Sequence, residues 1–184
     1  MGDVPVRAQR VTFVGELGWE LYTSAEYGMT LWETLWQAGS RHGLLAGGYR
    51  AIESLRLEKG YRAWGSDIGP ETTPAEAGLG FAVRRGGGFV GAAALREPER
   101  RLRCLTLADP RAVALGGEPV RVGDTVVAQV TSGGYGYTVQ KSIAYAYLPV
   151  GAACPPAVAV DGEWVEAEVA PGVLYDPKGS RIRS

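Results

Sequence analysis

The sequence has few of the residues that bind metals or form disulfides. Among its 184 residues there is one histidine, His42, and there are two cysteines, Cys104 and Cys154, far apart in the chain. Zinc sites use cysteine and histidine pairs at short spacings, so this distribution predicts no metal site. Both cysteines lie in apolar stretches, which favours two buried free thiols in a reducing compartment over a disulfide.

The sequence also lacks long apolar runs and a strong charge of either sign. No window of about 18 apolar residues occurs, so no transmembrane helix is predicted. Residues 1 to 13 lack the apolar core of a signal peptide, and we expect a cytoplasmic location. The formal net charge of -1 gives no electrostatic reason to expect nucleic acid or a membrane surface as a partner. With 46% hydrophobic residues, the chain is expected to fold as one large domain or two small ones.

The stretch from Arg50 to Phe81 contains most of the local signals. Ala51 to Lys59 has leucines and charges at helical spacing, and Gly60 then predicts the helix end. Tyr61 to Asp67 forms an aromatic and charged loop, a common place for a binding site. Thr72 to Ala77, with a proline at the first helical position, predicts the start of a second helix.

Before this stretch, the sequence predicts a hairpin and a helix. Alternation places one strand around Val11 and Phe13 and a second around Trp19 and Leu21, with a bend at residues 15 to 18. The predicted helix spans Ala25 to Ala38, with Ser24 as N-cap and Gly39 as its end. Its apolar spacing predicts a buried face made of four residues: Met29, Trp32, Leu35 and Trp36. His42, just past the helix end and without a visible partner, is interpreted as structural or exposed rather than catalytic.

The second half of the chain has the pattern of an all-β domain. Gly80 to Val83 predicts a strand and Ala92 to Leu95 a brief helix, after which proline and charges mark a boundary near residue 97. Beyond it, about six short strands predict a small barrel or sandwich: 102–107, two within 120–130 around a Gly123-Asp124 turn, 143–148, 158–160 and 164–169. Asp161-Gly162 is a hairpin signal. We therefore expect domains at residues 1–97 and 98–184.

Four blocks of the sequence resemble a known family. They are VGELGWELY at Val14 to Tyr22, SLRLEKGYRAWGSDIGPETTPAEAGLGF at Ser54 to Phe81, TSGGYGYTVQKSIAYAYLP at Thr131 to Pro149, and LYDPKGSRIR at Leu174 to Arg183. In this order they resemble the aminomethyltransferase family of the glycine-cleavage T-protein. They are most similar to the folate-binding C-terminal region of dimethylglycine and sarcosine dehydrogenases.

The resemblance implies an α+β fold, with an antiparallel sheet and helices as part of a folate-binding domain, followed by a small C-terminal β-barrel. It implies tetrahydrofolate as cofactor and, in the parent enzyme, an N-methyl amine as substrate. A hairpin this near the start leads us to expect a C-terminal piece of a larger protein. A flavin (FAD) domain and the aspartate that assists one-carbon transfer are then expected outside the chain. We expect no catalytic residues here, little activity alone, and association with an N-terminal catalytic region or a second copy.

The resemblance also assigns candidate folate contacts. On the residues alone, Glu16 and Glu20 look like surface charges beside a bend, but the family's matching glutamate assigns Glu20 to the pterin. A planar carboxylate suits the adjacent N–H donors of that ring edge. Phe13 stands where the family often has tyrosine, which keeps stacking but loses a hydroxyl.

Tyr61, Arg62 and Trp64 complete the predicted wall of the folate site. Packing of the helix against the sheet is an open alternative for Tyr61 and Trp64. The T-protein arginine that contacts folate is replaced here by Ile52, and Arg50 projects from another side of the helix.

The glycine-rich segment SGGYGYT contains two further candidate residues. It lacks the GK[ST] motif and the following helix of a phosphate-binding loop. Tyr135 and Tyr137 are instead expected on a turn between barrel strands that caps the folate site.

Two alternatives to an amine dehydrogenase remain open at this point. One is another enzyme on the same fold, such as a folate-dependent demethylase or a true glycine-cleavage transferase. The other is a non-catalytic folate-binding or assembly module.

Overall fold

The computed structural model describes residues 1–152 and 154–183. In chain order its strands are β1 (Arg7–Gln9), β2 (Glu20–Tyr22), β3 (Arg100–Leu107), β4 (Pro119–Val122), β5 (Thr125–Gly136), β6 (Lys141–Pro149), β7 (Pro156–Val160) and β8 (Glu163–Ala170). The helices are α1 (Gly28–Ser40), α2 (Tyr49–Lys59) and α3 (Ser180–Arg183), with short 3₁₀ turns at Ala25–Tyr27, Gly80–Ala82 and Ala92–Ala94. The predicted α+β class with a C-terminal barrel is confirmed.

The predicted hairpin is present, but its first strand lies earlier in the chain. β1 and β2 pair antiparallel, with Arg7 opposite Tyr22 and Gln9 opposite Glu20. The prediction of a strand at Val11 and Phe13 was wrong. The Thr12 hydroxyl accepts hydrogen bonds from the backbone N–H groups of the two residues after Phe13, at 3.2 and 3.1 Å. Such a local turn competes with strand pairing, so residues 10–19 form a long loop.

Helix α1 exists, but the core assignment of its apolar face was wrong. The helix extends past Gly39 to Ser40, and Ser24 makes no side-chain cap hydrogen bond. Leu31 is buried, whereas Met29, Trp32 and Trp36 are 68%, 53% and 42% exposed. The sequence spacing correctly indicated an apolar stripe, but little of the described chain covers it.

Helix α2 ends as predicted. Gly60 adopts the left-handed conformation with φ of 73°, and its N–H bonds back to the carbonyl of Leu57. The last half of α2 is buried on every side, including the charged residues Arg56, Glu58 and Lys59. This end of α2 is therefore inserted between other parts of the fold.

The region after α2 differs from its prediction, because neither the second helix nor the strand at residues 80–83 forms. Thr73 and Glu76 make a reciprocal capping box, with side chain to backbone bonds of 2.9 and 3.2 Å. The N–H of Thr73 also lowers the pKa of Glu76. Gly78 then turns left-handed and ends the helical segment after one turn. Residues 80–82 form a 3₁₀ turn instead of a strand.

The six predicted C-terminal strands form a closed barrel in the order β3-β6-β5-β4-β7-β8. Side chains alternate along each strand. On β6, Ala144 and Ala146 belong to the barrel core, whereas Ile143 and Tyr145 point the other way. There they pack with Leu57 of α2, so the barrel's outer surface holds the buried end of this helix.

Two details of the barrel region correct the sequence analysis. Tyr135 lies within strand β5 rather than on a turn, since β5 runs as far as Gly136, and only Tyr137 lies beyond it. Both cysteines are free, but only Cys104 is buried; Cys154 is exposed. Burial raises the pKa of the Cys104 thiol.

The C-terminal segment, residues 171–183, connects the two halves of the fold. The carbonyl of Glu58 accepts hydrogen bonds from the N–H groups of Leu174 and Tyr175, at 2.9 and 3.0 Å. The Tyr175 hydroxyl donates to Glu16 Oε1 at 3.0 Å, so Glu16 is more than a surface charge beside a bend. The segment thus lies against both α2 and the loop between β1 and β2.

Candidate folate-site cleft

A cleft of about 360 Å³ lies beside the end of α2. Its lining comes from the loop before β2, the turn after α2, the 79–81 region and the C-terminal segment: Thr12, Phe13, Lys59, Gly60, Tyr61, Arg62, Ile68, Leu79, Phe81 and Val173. This volume is within the roughly 300–1,000 Å³ typical of small-molecule sites. Three of the predicted folate contacts, Phe13, Tyr61 and Arg62, line it together.

An aromatic pair forms one wall of the cleft. The rings of Phe13 and Tyr61 are stacked, with centroids 6.2 Å apart and an angle of 21° between their planes. Tyr61 is fixed by the end of α2, because its N–H bonds to the carbonyl of Arg56 at 3.0 Å. Two flat rings held in parallel provide a surface on which a planar heterocycle can stack.

Arg62 is held in the cleft by backbone carbonyls. Its Nε donates to the carbonyl of Ala77 at 3.0 Å, and its Nη1 donates to that of Gly60 at 2.5 Å. Within the described residues, Nη2 makes no hydrogen bond. A positioned guanidinium with one free edge is suited to an anionic group.

Lys59 provides a second cation beside the cleft, but its charge is already paired. The Nζ atom donates to the backbone carbonyl and to Oδ2 of Asp176, at 2.6 and 3.0 Å, and both side chains are largely buried. Hydrogen bonds from Ser180 and then from Lys59 hold the pKa of Asp176 below its ordinary value. The pair therefore fastens the C-terminal segment, which contributes Val173 to the cleft lining.

The structure places Glu20 and Trp64 outside the lining of this cleft. Glu20 is the exposed first residue of β2, and its carboxylate accepts a hydrogen bond from the Tyr22 hydroxyl. That hydrogen bond raises the pKa of Tyr22. Trp64 is 73% exposed and forms an isolated bridge with Ile68. Their folate contacts stay predictions.

Beneath the 61–68 loop, a buried ion pair joins the loop to α2 and the barrel. Arg56 Nη1 lies 2.5 Å from Asp67 Oδ2, with about 1% of each side chain exposed. Asp67 also accepts hydrogen bonds from the hydroxyls of Thr131 and Ser132 on β5 and from the N–H of Ala63. Each carboxylate oxygen is thereby satisfied, which a buried charge requires.

Two more polar groups fix the buried end of α2 against the barrel. Glu58 Oε1 accepts hydrogen bonds from the N–H groups of Thr138 and Val139 in the β5–β6 turn, at 2.7 and 3.2 Å. The hydroxyl of Tyr145 on β6 reaches the carbonyl of Leu57 at 3.1 Å, and burial raises the pKa of this tyrosine. The buried end of α2, which leads into the cleft at Lys59, is thus held on the barrel by specific polar contacts.

A second cleft, of about 570 Å³, lies on another side of α2. Arg50, Glu53, Tyr135 and Tyr137 are among its lining residues, and the two tyrosine rings meet edge to face at 5.1 Å. Neither tyrosine lines the cleft of Phe13 and Tyr61. Ile52 lines neither cleft, so the residue standing for the T-protein arginine does not face either cavity.

Sequence reasoning missed the buried charges that build the site. Arg56, Glu58 and Lys59 belong to the resemblance block LRLEKG, but no burial was predicted for these charged side chains. Their only local signal is that three charges fall at the end of a helix whose leucines indicate burial. Asp67, which pairs with Arg56, and Asp176, which pairs with Lys59, stand at no recognisable sequence spacing from them.

The sequence models of one protein family match almost the whole chain. The model described as "GCVT N-terminal domain" matches residues 1–86, and "Glycine cleavage T-protein C-terminal barrel domain" matches residues 100–176. The chain therefore belongs to the glycine cleavage T-protein family, as the resemblance of its four blocks predicted.

Individual relatives agree with this assignment. Dimethylglycine dehydrogenase, mitochondrial, of Mus musculus is 43% identical over 157 residues, which is 82% of this chain and 18% of that protein. The 4-methylaminobutanoate oxidase (formaldehyde-forming) of Paenarthrobacter nicotinovorans is 40% identical over 183 residues, 95% of this chain and 22% of that protein. The crystal structure of the glycine cleavage system aminomethyltransferase T from Bartonella henselae superposes with a TM-score of 0.78 at 29% identity, covering 91% of this chain and 49% of that one.

The chain thus spans about a fifth of these two curated relatives and about half of the solved aminomethyltransferase. Among residues 1–152 and 154–183, no helix has the length and apolar character needed to cross a membrane. The same residues contain no cluster of three or more His, Cys, Asp or Glu side chains that could hold a metal ion.

Proposed function

We propose that this chain is the C-terminal portion of a tetrahydrofolate-dependent one-carbon enzyme of the dimethylglycine or sarcosine dehydrogenase type. In the complete enzyme, a one-carbon unit from an N-methyl amine would pass to the reduced folate. Residues 1–97 would form the folate-binding part and residues 98–184 the barrel. The start of β3 at Arg100 supports this division, as does the match of the barrel family at residues 100–176.

The observation that carries the proposal is the convergence of Phe13, Tyr61 and Arg62 in one cleft. Phe13 is 48 positions from Tyr61 in sequence, yet their rings stack at 6.2 Å. The aromatic pair would stack on the flat part of the folate, and Arg62 Nη2 would bind one of its carboxylates. The folate itself supplies the nitrogen nucleophile that takes up the one-carbon unit.

Glu20 has the role of pterin acceptor in this proposal. Its carboxylate is exposed on β2 and engaged by the Tyr22 hydroxyl, so that hydroxyl must yield or share the carboxylate when the pterin arrives. A pterin edge offers two donors to the carboxylate where the Tyr22 hydroxyl offers one, and the paired geometry adds specificity. Orienting the folate and excluding water are the tasks of these residues.

Calorimetric titration with 5-formyltetrahydrofolate tests the proposal directly. We expect binding by the chain, weakened at least about tenfold in Glu20→Ala. Glu163→Ala is the matched control, because Glu163 is likewise an exposed glutamate that begins a strand, and it should bind like the unaltered chain. Equal binding by both variants would remove Glu20 from the site, and no binding would contradict a cleft that is complete in these residues.

In the complete enzyme, Glu20→Ala should weaken folate affinity while amine oxidation continues, whereas a non-catalytic module would show no oxidation at all. A cytoplasmic location stays a prediction from the sequence; the mouse relative is mitochondrial by its name.

A further inference from the structure

A cavity of about 500 Å³ lies against the C-terminal barrel. Its lining comes from three neighbouring strands, namely the end of β3, the start of β6 and the middle of β8, together with two exposed prolines, Pro110 and Pro155. The cavity shares no lining residue with the cleft of Phe13 and Tyr61. A ligand of this cavity is therefore independent of the proposed folate function.

Thr106 supplies a buried hydroxyl to this cavity. Its neighbours Leu105 and Leu107 belong to the barrel core, so the Thr106 side chain points to the outer face of β3. Only 6% of Thr106 is exposed, and within the described residues its hydroxyl makes no hydrogen bond. Buried hydroxyls are normally hydrogen-bonded, so an unpartnered one in the wall of a cavity indicates a polar group that binds there.

Charges of both signs flank Thr106 on the same outer face. Thr106 lies opposite Glu168 of β8 on one side and opposite Ile143 of β6 on the other. Lys141 precedes Ile143 by two residues and Glu166 precedes Glu168 by two, so each pair shares the outward face of its strand. Because neighbouring strands are about 4.8 Å apart, the backbones of β6 and β8 are separated by about 10 Å. The cavity thus has an ammonium on one side and two carboxylates on the other.

These three charges do not neutralise one another. In the part of the chain that the structure describes, the side chains of Lys141, Glu166 and Glu168 form no hydrogen bond and no ion pair. All three residues are exposed and line the same cavity. A ligand with the opposite charges at its two ends would pair with both sides at once, and a charge-assisted hydrogen bond is stronger than a neutral one.

We propose that this cavity binds an ω-amino acid, a zwitterion whose ammonium and carboxylate are separated by a methylene chain. Glu166 and Glu168 bind the ammonium, whose remaining N–H donates to the Thr106 hydroxyl, and Lys141 binds the carboxylate. The exposed prolines of the lining provide apolar contact for the methylenes. An α-amino acid carries both charges on one carbon, so it cannot reach two strands that are about 10 Å apart.

A chemical-shift titration of the ¹⁵N-labelled 184-residue chain with 6-aminohexanoate tests this proposal. We expect saturable shifts of the amides at residues 106–108, 140–141 and 166–168, with a dissociation constant of about 1 mM for a ligand of this size. Hexylamine and hexanoate, which each lack one charge, should bind at least about fivefold more weakly. Absence of saturable shifts at these amides, or equal binding by either analogue, would overturn the proposal.

Substitutions distinguish a binding role from a structural one. Thr106→Val keeps the shape of the side chain and removes a hydroxyl that has no partner in the fold, so affinity should fall while the melting temperature stays the same or rises. Glu168→Gln should weaken binding by about fivefold. Glu163→Gln is the matched control, because Glu163 is an exposed glutamate of the same strand outside the cavity lining.

Lys141→Met provides a separate check on the orientation of the ligand. Without the ammonium of Lys141, 6-aminohexanoate should lose its advantage over hexylamine, because only the carboxylate end of the ligand loses its partner. A preference that persists in Lys141→Met, or unchanged affinity in both Thr106→Val and Glu168→Gln, would overturn the assignment of this site. The titrations contain no folate, so their failure leaves the proposed folate function untouched.

Discussion

Removal of the Asp67 carboxylate tests whether the buried polar network, rather than apolar contact, holds the 61–68 loop on the barrel. Asp67→Ala leaves the buried guanidinium of Arg56 without its carboxylate partner. It also leaves the Ser132 hydroxyl and the Ala63 N–H without an acceptor. Loss of one member of a buried pair costs about 3–5 kcal/mol. Arg56 keeps a bond to Glu53 Oε2 at 2.6 Å, so we expect the lower end, about 3 kcal/mol.

The assay is equilibrium unfolding in urea. With a slope of about 2 kcal/mol per M, a loss of about 3 kcal/mol moves the midpoint down by roughly 1.5 M. Asp109→Ala is the matched control, because Asp109 and Arg111 form the same kind of aspartate–arginine ion pair on the surface. Their side chains are 41% and 90% exposed. Its midpoint should stay close to that of the unaltered chain.

A double variant separates an unpaired charge from the value of the pair itself. Arg56→Met with Asp67→Leu removes both charges, and its loss should be smaller than the sum of the two single losses. If Asp67→Ala unfolds at the same midpoint as Asp109→Ala, the reasoning about this network is refuted.

Three further predictions concern backbone, pH and thiol chemistry. Gly60→Ala should destabilise the chain far more than Gly65→Ala. Both glycines have positive φ, but a Cβ at Gly60 would lie 2.0 Å from a backbone carbonyl oxygen, whereas one at Gly65 would meet nothing. Equal urea midpoints for the two variants would contradict this prediction. Because the pKa of Asp176 is lowered in the folded chain, its ionised carboxylate contributes stability above about pH 4, and this contribution is lost as the pH falls further. Asp176→Asn should therefore lose less stability between pH 6 and pH 3 than the unaltered chain does. An equal loss in the two proteins would contradict this. Iodoacetamide should modify Cys154 rapidly and Cys104 only after unfolding, as peptide mass mapping would show.

Local patterns were sufficient for most of the secondary structure. Alternation and turn signals located all six barrel strands, although β5 runs six residues past its predicted end, and Asp161-Gly162 identified the β7–β8 hairpin, where both residues have positive φ. Gly60 ended α2 because a left-handed cap at a helix end favours glycine. These features depend on neighbours in sequence, so one sequence contains enough information for them.

Features that depend on distant partners could not be predicted in the same way. The spacing of Trp32 and Trp36 indicates an apolar stripe but not what lies against it, and both are exposed. Lys59 and Asp176 pair across 117 positions with no motif to connect them. In the site, the resemblance selected Phe13, Tyr61 and Arg62, which one cleft unites, but geometry alone shows that two carbonyls already hold the arginine.

The C-terminal segment determines when the fold can be completed during synthesis. During translation the barrel strands and α2 are synthesised before residues 171–183, yet among the described residues the backbone carbonyl of Glu58 and the ammonium of Lys59 receive their partners only from that segment. Until then, the Glu58 carbonyl and the Lys59 ammonium at the end of α2 lack their partners, which lie more than a hundred residues later in the chain. A chain ending at residue 170 would thus keep every strand of the barrel but leave this side of the cleft open to chaperones and proteases.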